Sequence, residues 1–245
     1  MDAIDLAFYR HQGHLTVNGV FGAAETDALI ADIEAWGESF LADLPAEQRG
    51  WYVDGGVKAR TVLRKLDNPH AHRPAVQRLA RDRRLVALVE QILGPGVSVY
   101  FSQIFFKAPE GGGPKPAHQD NFYFGPTDIE GVVTAWIALD DATLENGCLY
   151  FGDGTNQGPV YGHIAPAGEP FNLQLPASVL GKQPMAPAPL RKGGVSFHHG
   201  NTFHQSGPNL SAEWRRACAL HYVRNDVEFA HPALPYDHAL KLRIS

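Results

Sequence analysis

The chain has 245 residues, 44% hydrophobic, 19% charged and 10% aromatic, the composition of a folded globular protein rather than a disordered or fibrous one. Its 21 Lys and Arg against 26 Asp and Glu give a net charge of -5, which argues against a chain that works by neutralising a phosphate backbone. Apolar runs such as Ala135 to Leu139 fall far short of the roughly 20 residues a membrane-spanning helix needs. Asp5, Arg10 and His11 interrupt what would have to be the core of a secretory signal. The expectation is a cytoplasmic protein that binds neither nucleic acid nor membrane. Cys148 and Cys218 stand in apolar strand-like contexts and read as reduced core thiols.

Along the chain, Thr26 to Phe40 sets Leu29, Ile30, Ile33 and Trp36 at helical spacing, with Thr26 placed to cap the helix. Val76 to Leu93 repeats the pattern, and the charges of Arg81 to Arg84 read as a solvated helix face. From Val97 the pattern changes to short β-rich runs between Gly, Pro, Asn and Asp turns: 97–107, 132–139, 148–151, 194–199 and 217–223. The fold class expected is mainly β with flanking helices: one domain, with a mostly helical buttress over 1–95, a double-stranded β-helix (jelly-roll, cupin-like) core over 96–226 and a tail over 227–245. The mouth of that core is where a small-molecule site would lie. The Pro-rich stretch Gln157 to Lys192, with 110–115 and 121–129, is expected to roof it.

Chemistry first shows at His118-Gln119-Asp120. On a strand the side-chain period is two, so His118 and Asp120 project to one face and Gln119 to the other. Alone, the triplet is as well read as a hydrogen-bonded surface pair. His204, followed by Ser206 and, eleven residues on, by Arg215, offers a third ligand. Two His and one carboxylate leave three positions open on a metal, the facial triad that favours non-haem Fe(II) and oxygen chemistry. A keto acid such as 2-oxoglutarate chelates two of them, leaving one for O2, and its distal carboxylate needs a planar bidentate cation. Arg215 would supply that cation and Ser206 a neighbouring hydroxyl. Arg216 faces the other way and reads as salt-bridged. His198 and His199 adjoin, so at most one points inward, to support a ligand or touch substrate; neither they nor His221 are expected to be ligands.

The chain resembles the phytanoyl-CoA dioxygenase-like group of Fe(II)/2-oxoglutarate oxygenases. The resemblance rests on Phe8 to Leu15, Phe105-Phe106-Lys107-Ala108-Pro109, His118-Gln119-Asp120, Trp136 to Asp141, Glu145-Asn146-Gly147-Cys148-Leu149, and His204 through Arg215. It implies that His118, Asp120 and His204 are the metal ligands and that Arg215 and Ser206 hold the distal carboxylate of 2-oxoglutarate. Gln103 and Trp136 fall where the family lines the cosubstrate pocket, although Trp136 reads equally as core. Arg64, on the strand-like Thr61 to Leu66, falls there too, or its neighbour Lys65 does. The cofactors implied are Fe(II), 2-oxoglutarate and O2, and the outcome hydroxylation or a related oxidation, with release of succinate and CO2. Asp120 stands where halogenating members carry a small residue. The turn after Leu149, Tyr150 to Gln157, departs from the family's Pro-Gly-Ser-His. The rival readings are a jelly-roll metalloenzyme using Zn(II) or Mn(II) as Lewis acid and a silent small-molecule binder. Phe122, Tyr123, Phe124 and Tyr150, with few cationic groups in the same segments, suggest a small apolar or aromatic metabolite as substrate, bound by a monomer or homodimer.

Overall fold

The computed structural model describes residues 4–54, 62–167 and 172–245; Thr61 and the central part of the expected roof, residues 168–171, lie outside them. Asp5 caps α1 (Leu6–Gln12) by accepting from the Phe8 N–H at 2.9 Å, and Gly13 at φ +82° turns the chain into β1 (His14–Val17). The expected 26–40 helix is α2 (Ala23–Asp43), and Thr26 is not its cap. Glu25 reaches back to the Gly22 N–H at 2.7 Å, while the Thr26 hydroxyl donates to Ala23 O at 2.8 Å within the first turn.

The chain then runs through α3 (Arg49–Tyr52), β2 (Val53–Asp54), β3 (Val62–Leu63), β4 (Lys65–Asp67) and α4 (Pro69–His72). The expected 76–93 helix is two helices, α5 (Pro74–Ala80) and α6 (Arg83–Leu93). Asp82 leaves the helical region at ψ 126° and accepts from the Arg84 N–H at 2.9 Å, so a side-chain cap starts a new helix where apolar periodicity alone reads through. The Arg81 to Arg84 charges therefore mark a junction between helices rather than one continuous helix face, although Arg81 and Arg83 are exposed as expected. Arg84 pairs with Asp82 and Glu25 at 2.8 and 2.6 Å and lies 4.8 Å from the Phe21 ring. Asp82→Ala is expected to cost about 1 kcal/mol, read as a lower urea midpoint at unchanged slope.

Nine further strands complete the β core: β5 (Val97–Lys107), β6 (Lys115–His118), β7 (Val132–Ala138), β8 (Leu149–Phe151), β9 (Ala186–Ala188), β10 (Val195–His199), β11 (His204–Ser206), β12 (Arg215–Arg224) and β13 (Leu242–Arg243). The larger sheet runs β1-β10-β7-β12-β5-β13 with β4 also on β5, and the smaller runs β6-β11-β8-β9. All pairings are antiparallel. The "helical" first third thus supplies two strands to the larger sheet, and β9 draws part of the expected roof into the smaller one.

Alternation sets the two faces of the larger sheet. Val133, Ala135 and Ile137 of β7, with Cys218, Leu220 and Tyr222 of β12, pack in one core with Ile33 of α2 and Leu85 and Leu88 of α6. Trp136, Ala138, Ala217 and Ala219 face the smaller sheet, against Leu149 and Phe151. Cys148 and Cys218 are both free and buried. Among the described residues no helix is long and apolar enough to cross a membrane.

Candidate active site

His118 ends β6, opposite His204 of β11 in the smaller sheet. Asp120 opens α7 (Asp120–Phe124) rather than continuing the strand. It still shares a side with His118 because Gln119 between them is extended, at φ −122° and ψ 132°. Gln119 points the other way, donating to Pro159 O and Asn201 O at 3.0 and 2.9 Å and accepting from the Tyr161 N–H at 2.8 Å.

The Nε2 atoms of His118 and His204 lie 3.8 and 3.6 Å from Asp120 Oδ1, and one donor atom from each residue lies within 4.8 Å of the other two. Each imidazole gives its Nδ1 proton to the carbonyl two residues earlier, His118 to Pro116 at 2.8 Å and His204 to Thr202 at 3.0 Å. That fixes the tautomer, so both Nε2 lone pairs face the cluster. Burial lowers His204 to about 4 and His118 well below the ordinary histidine range, which keeps both neutral and able to coordinate. Burial alone would raise the Asp120 carboxyl, but the net direction is well below the usual carboxylate range, with a hydrogen bond from His198 among the causes. Among the described residues this is the one group of His, Cys, Asp or Glu placed to hold a metal ion, and a donor set of two neutral imidazoles and a carboxylate suits Fe(II).

A second set of contacts lies on the far side of Asp120. Thr134 Oγ1 is 2.5 Å and His198 Nε2 3.2 Å from Oδ2, and His221 Nδ1 is 2.8 Å from the same threonine hydroxyl. His198 is therefore the inward member of the adjacent pair. His199 faces away, accepting from the Asn201 N–H at 3.0 Å.

A cavity of about 590 Å³ joins this cluster to Arg215. All eight residues singled out in the sequence, His118, Asp120, His204, Ser206, Arg215, Gln103, Trp136 and Arg64, border it. Arg215 opens β12, is 2% exposed, and its Nε and Nη1 meet no partner; its guanidinium lies 5.4 Å from the Trp136 ring, and burial lowers it to about 10. Arg216 points to the opposite face and pairs with Asp140 at 2.7 and 2.9 Å and with Glu34. Gln103 donates to Asp67 at 2.8 Å, and Arg64 donates to the Gly50 and Trp51 carbonyls at 3.0 and 2.7 Å, so both are tied to the protein. Lys65 also borders the cavity and pairs with Asp67 at 2.8 Å.

Lys107 escaped the sequence reading as a site residue. It lies opposite Arg215 in the β5–β12 register, is 5% exposed, donates to Gly207 O, and is lowered to about 6 by burial and by Arg215. Period two from Gln103 along β5 leads to it directly. The aromatic expectation needs correcting as well: Tyr123 and Phe124 border the cavity, whereas Phe122 and Tyr150 do not. Phe122 stacks instead on His163, ring centroids 4.0 Å apart. Nor are cations few, since Arg64, Lys65, Lys107, Lys115 and Arg215 all border it. Arg64 precedes β4, and the others come from β4, β5, β6 and β12, segments that only the fold assembles. Of 157–192 only Asn172 among the described residues reaches the cavity; residues 234–237 of the tail and Gln48, Trp51 and Tyr52 also border it.

The Asn146-Gly147 segment is architectural. Asn146 accepts from the Thr143 N–H and donates to Asp141 O, each at 2.7 Å. Gly147 has φ +86°, and a Cβ there would stand 2.4 Å from Gly207 O, beside Ser206. Gly147→Ala is expected to lower the melting temperature by several degrees, since left-handed strain of about 1 kcal/mol or more adds to the backbone clash.

A jelly roll whose two sheets enclose a two-histidine, one-carboxylate cluster and a buried arginine defines a class of protein, and comparison with known sequences places the chain within it. The family model for phytanoyl-CoA dioxygenase (PhyH) matches residues 9–217: the chain belongs to that family. It is 34% identical over 161 residues to phytanoyl-CoA dioxygenase domain-containing protein 1 of Rattus norvegicus, covering 63% of this chain and 54% of the relative. It is 26% identical over 226 residues to a probable alpha-ketoglutarate-dependent hypophosphite dioxygenase of Stutzerimonas stutzeri, covering 89% and 77%. The chain thus spans about half the length of its rat relative. Among solved structures, the epimerase SnoN in complex with Fe3+, alpha ketoglutarate and nogalamycin RO superposes with a TM-score of 0.71 at 25% identity, over 94% of this chain and 86% of that one.

Proposed function

We propose that this chain is a single-domain Fe(II)- and 2-oxoglutarate-dependent dioxygenase that oxidises a small-molecule metabolite and releases succinate and CO2. The observation that carries the reading is the conjunction, in one cavity, of the His118, Asp120 and His204 donors with the unpaired nitrogens of Arg215. In this reading those three residues hold Fe(II). Arg215, with Ser206 beside it, takes the distal carboxylate of 2-oxoglutarate, and a charge-assisted contact there is strong because both groups are out of water. Trp136 offers its ring to the guanidinium at 5.4 Å. Lys107 steadies the Ser206-Gly207 segment through the Gly207 carbonyl. When bound, the iron with its cosubstrates supplies the oxidising power; the chain supplies position, with His118, Asp120, His204 and Arg215 all buried. A metal hydrolase has no use for a buried keto-acid clamp, which counts against the Lewis-acid alternative. Phe101, Phe124 and Tyr236, which pack together at 5.1–6.2 Å and border the cavity, suit the apolar or aromatic body of a substrate. The two buried free thiols accord with a reducing, cytoplasmic setting.

The test is purified protein given Fe(II), 2-oxoglutarate and O2, with succinate measured alone and across a panel of small metabolites. Slow succinate release that neutral or singly charged aromatic molecules accelerate is the expected result. Stimulation by acyl-CoA thioesters alone would refute the substrate class, and no iron-dependent succinate at all would refute the function.

A further inference from the structure

The row of side chains beneath Asp120 determines how that carboxylate can bind a metal. His198, Thr134 and His221 are direct cross-strand neighbours on β10, β7 and β12, all 5% exposed or less, and Asp120 comes down on them from the start of α7. A carboxylate can only accept, so the Thr134 hydroxyl, 2.5 Å from Oδ2, and the His198 Nε2, 3.2 Å from it, are both donors. The hydroxyl has one proton, given to Asp120, so His221 Nδ1 at 2.8 Å must donate to the threonine oxygen. The relay from His221 through Thr134 to Asp120 has a single direction. Oδ1 remains the oxygen turned toward His118 and His204, at 3.8 and 3.6 Å.

In a facial triad each protein ligand takes one position and leaves the others for cosubstrates. A carboxylate that bound through both oxygens would occupy one of those positions. We propose that Thr134 and His198 are positioning residues that restrict Asp120 to one coordinating oxygen, and that His221 aligns the Thr134 proton for this purpose. The inference rests on the function proposed above. It also accounts for His198 standing beside the cluster without joining it, since its Nε2 proton is directed to Oδ2.

The experiment compares wild type, Thr134→Val, Thr134→Ser, His198→Phe and His198→Gln. Each is titrated anaerobically with Fe(II) and then 2-oxoglutarate, with the visible charge-transfer band as readout, and metal-free melting is measured alongside. Wild type, Thr134→Ser and His198→Gln keep a donor and are expected to bind alike. Thr134→Val, which preserves shape and strand preference, is expected to keep one Fe(II) per chain but to melt somewhat lower, because the Asp120 carboxylate and the His221 Nδ1 proton each lose a buried partner. Its 2-oxoglutarate requirement should rise about 10-fold or more, in the usual range for loss of a group that orients a ligand, with His198→Phe behaving likewise. A crystal structure of Mn(II)-loaded Thr134→Val should show both Asp120 oxygens on the metal. Wild-type affinity together with single-oxygen coordination in that variant would overturn the proposal. A wild-type protein that gives no band would instead overturn the iron and 2-oxoglutarate reading itself.

Discussion

Replacing Arg215 by Met raises the 2-oxoglutarate concentration needed for half-maximal succinate release by roughly 30-fold to several thousand-fold, the equivalent of the ~2–5 kcal/mol lost when one partner of a buried charge pair is removed. The metal-free protein melts no lower, and on physical grounds slightly higher. Arg215 is 2% exposed with two guanidinium nitrogens unpartnered, and burying a cation without a counter-charge works against folding. Arg216→Ala gives the opposite pattern. It breaks the pairing with Asp140 and Glu34, lowers the melting temperature and leaves the cosubstrate requirement unchanged. Two steady-state titrations and two melting curves decide the matter, and equal kinetic damage from both variants would show that the clamp is assigned to the wrong arginine.

His204→Ala abolishes the charge-transfer band that wild type develops with Fe(II) and 2-oxoglutarate, and turnover falls by more than about 100-fold, since losing a group that merely orients a ligand already costs about 10–100-fold. The metal-free protein melts lower, because the buried side chain gives up a neutral hydrogen bond to Thr202 O at 3.0 Å, worth about 1 kcal/mol, and its ring packing on His118 and His198. Substitution of His11, exposed at the end of α1, leaves band and turnover intact. A band that survived in His204→Ala would remove His204 from the metal site.

How much of this could be read from the chain itself varies with the distance over which each signal acts. Strand alternation is local, so Val97 to Lys107, Val132 to Ala138 and Arg215 to Arg224 emerge from the sequence with bounds close to those observed. The choice of Arg215 over Arg216 likewise needs only the knowledge that neighbours on a strand face opposite ways. Helix boundaries were less legible, because Glu25 and Asp82 set them with single hydrogen bonds that apolar spacing does not reveal. Short strands such as β4, β6, β9 and β13 carry too few residues for a period, and they exist because a neighbouring strand, β5 for β4 and β13, β11 for β6 and β8 for β9, offers backbone groups along its edge.

The sequence by itself determined the residue types of the site and their order: a His-x-Asp pair, a later His with Ser two residues on, and an Arg eleven residues on, among strands whose faces follow from a period of two. Only the tertiary structure decided what surrounds them. Lys107 meets Arg215, Lys115 and Arg64 reach the cavity, and Thr134, His198 and His221 line up beneath Asp120 because three strands far apart in the chain adopt one register. Register is set by the packing of the opposite face against α2 and α6, a cooperative, long-range condition that no local pattern encodes.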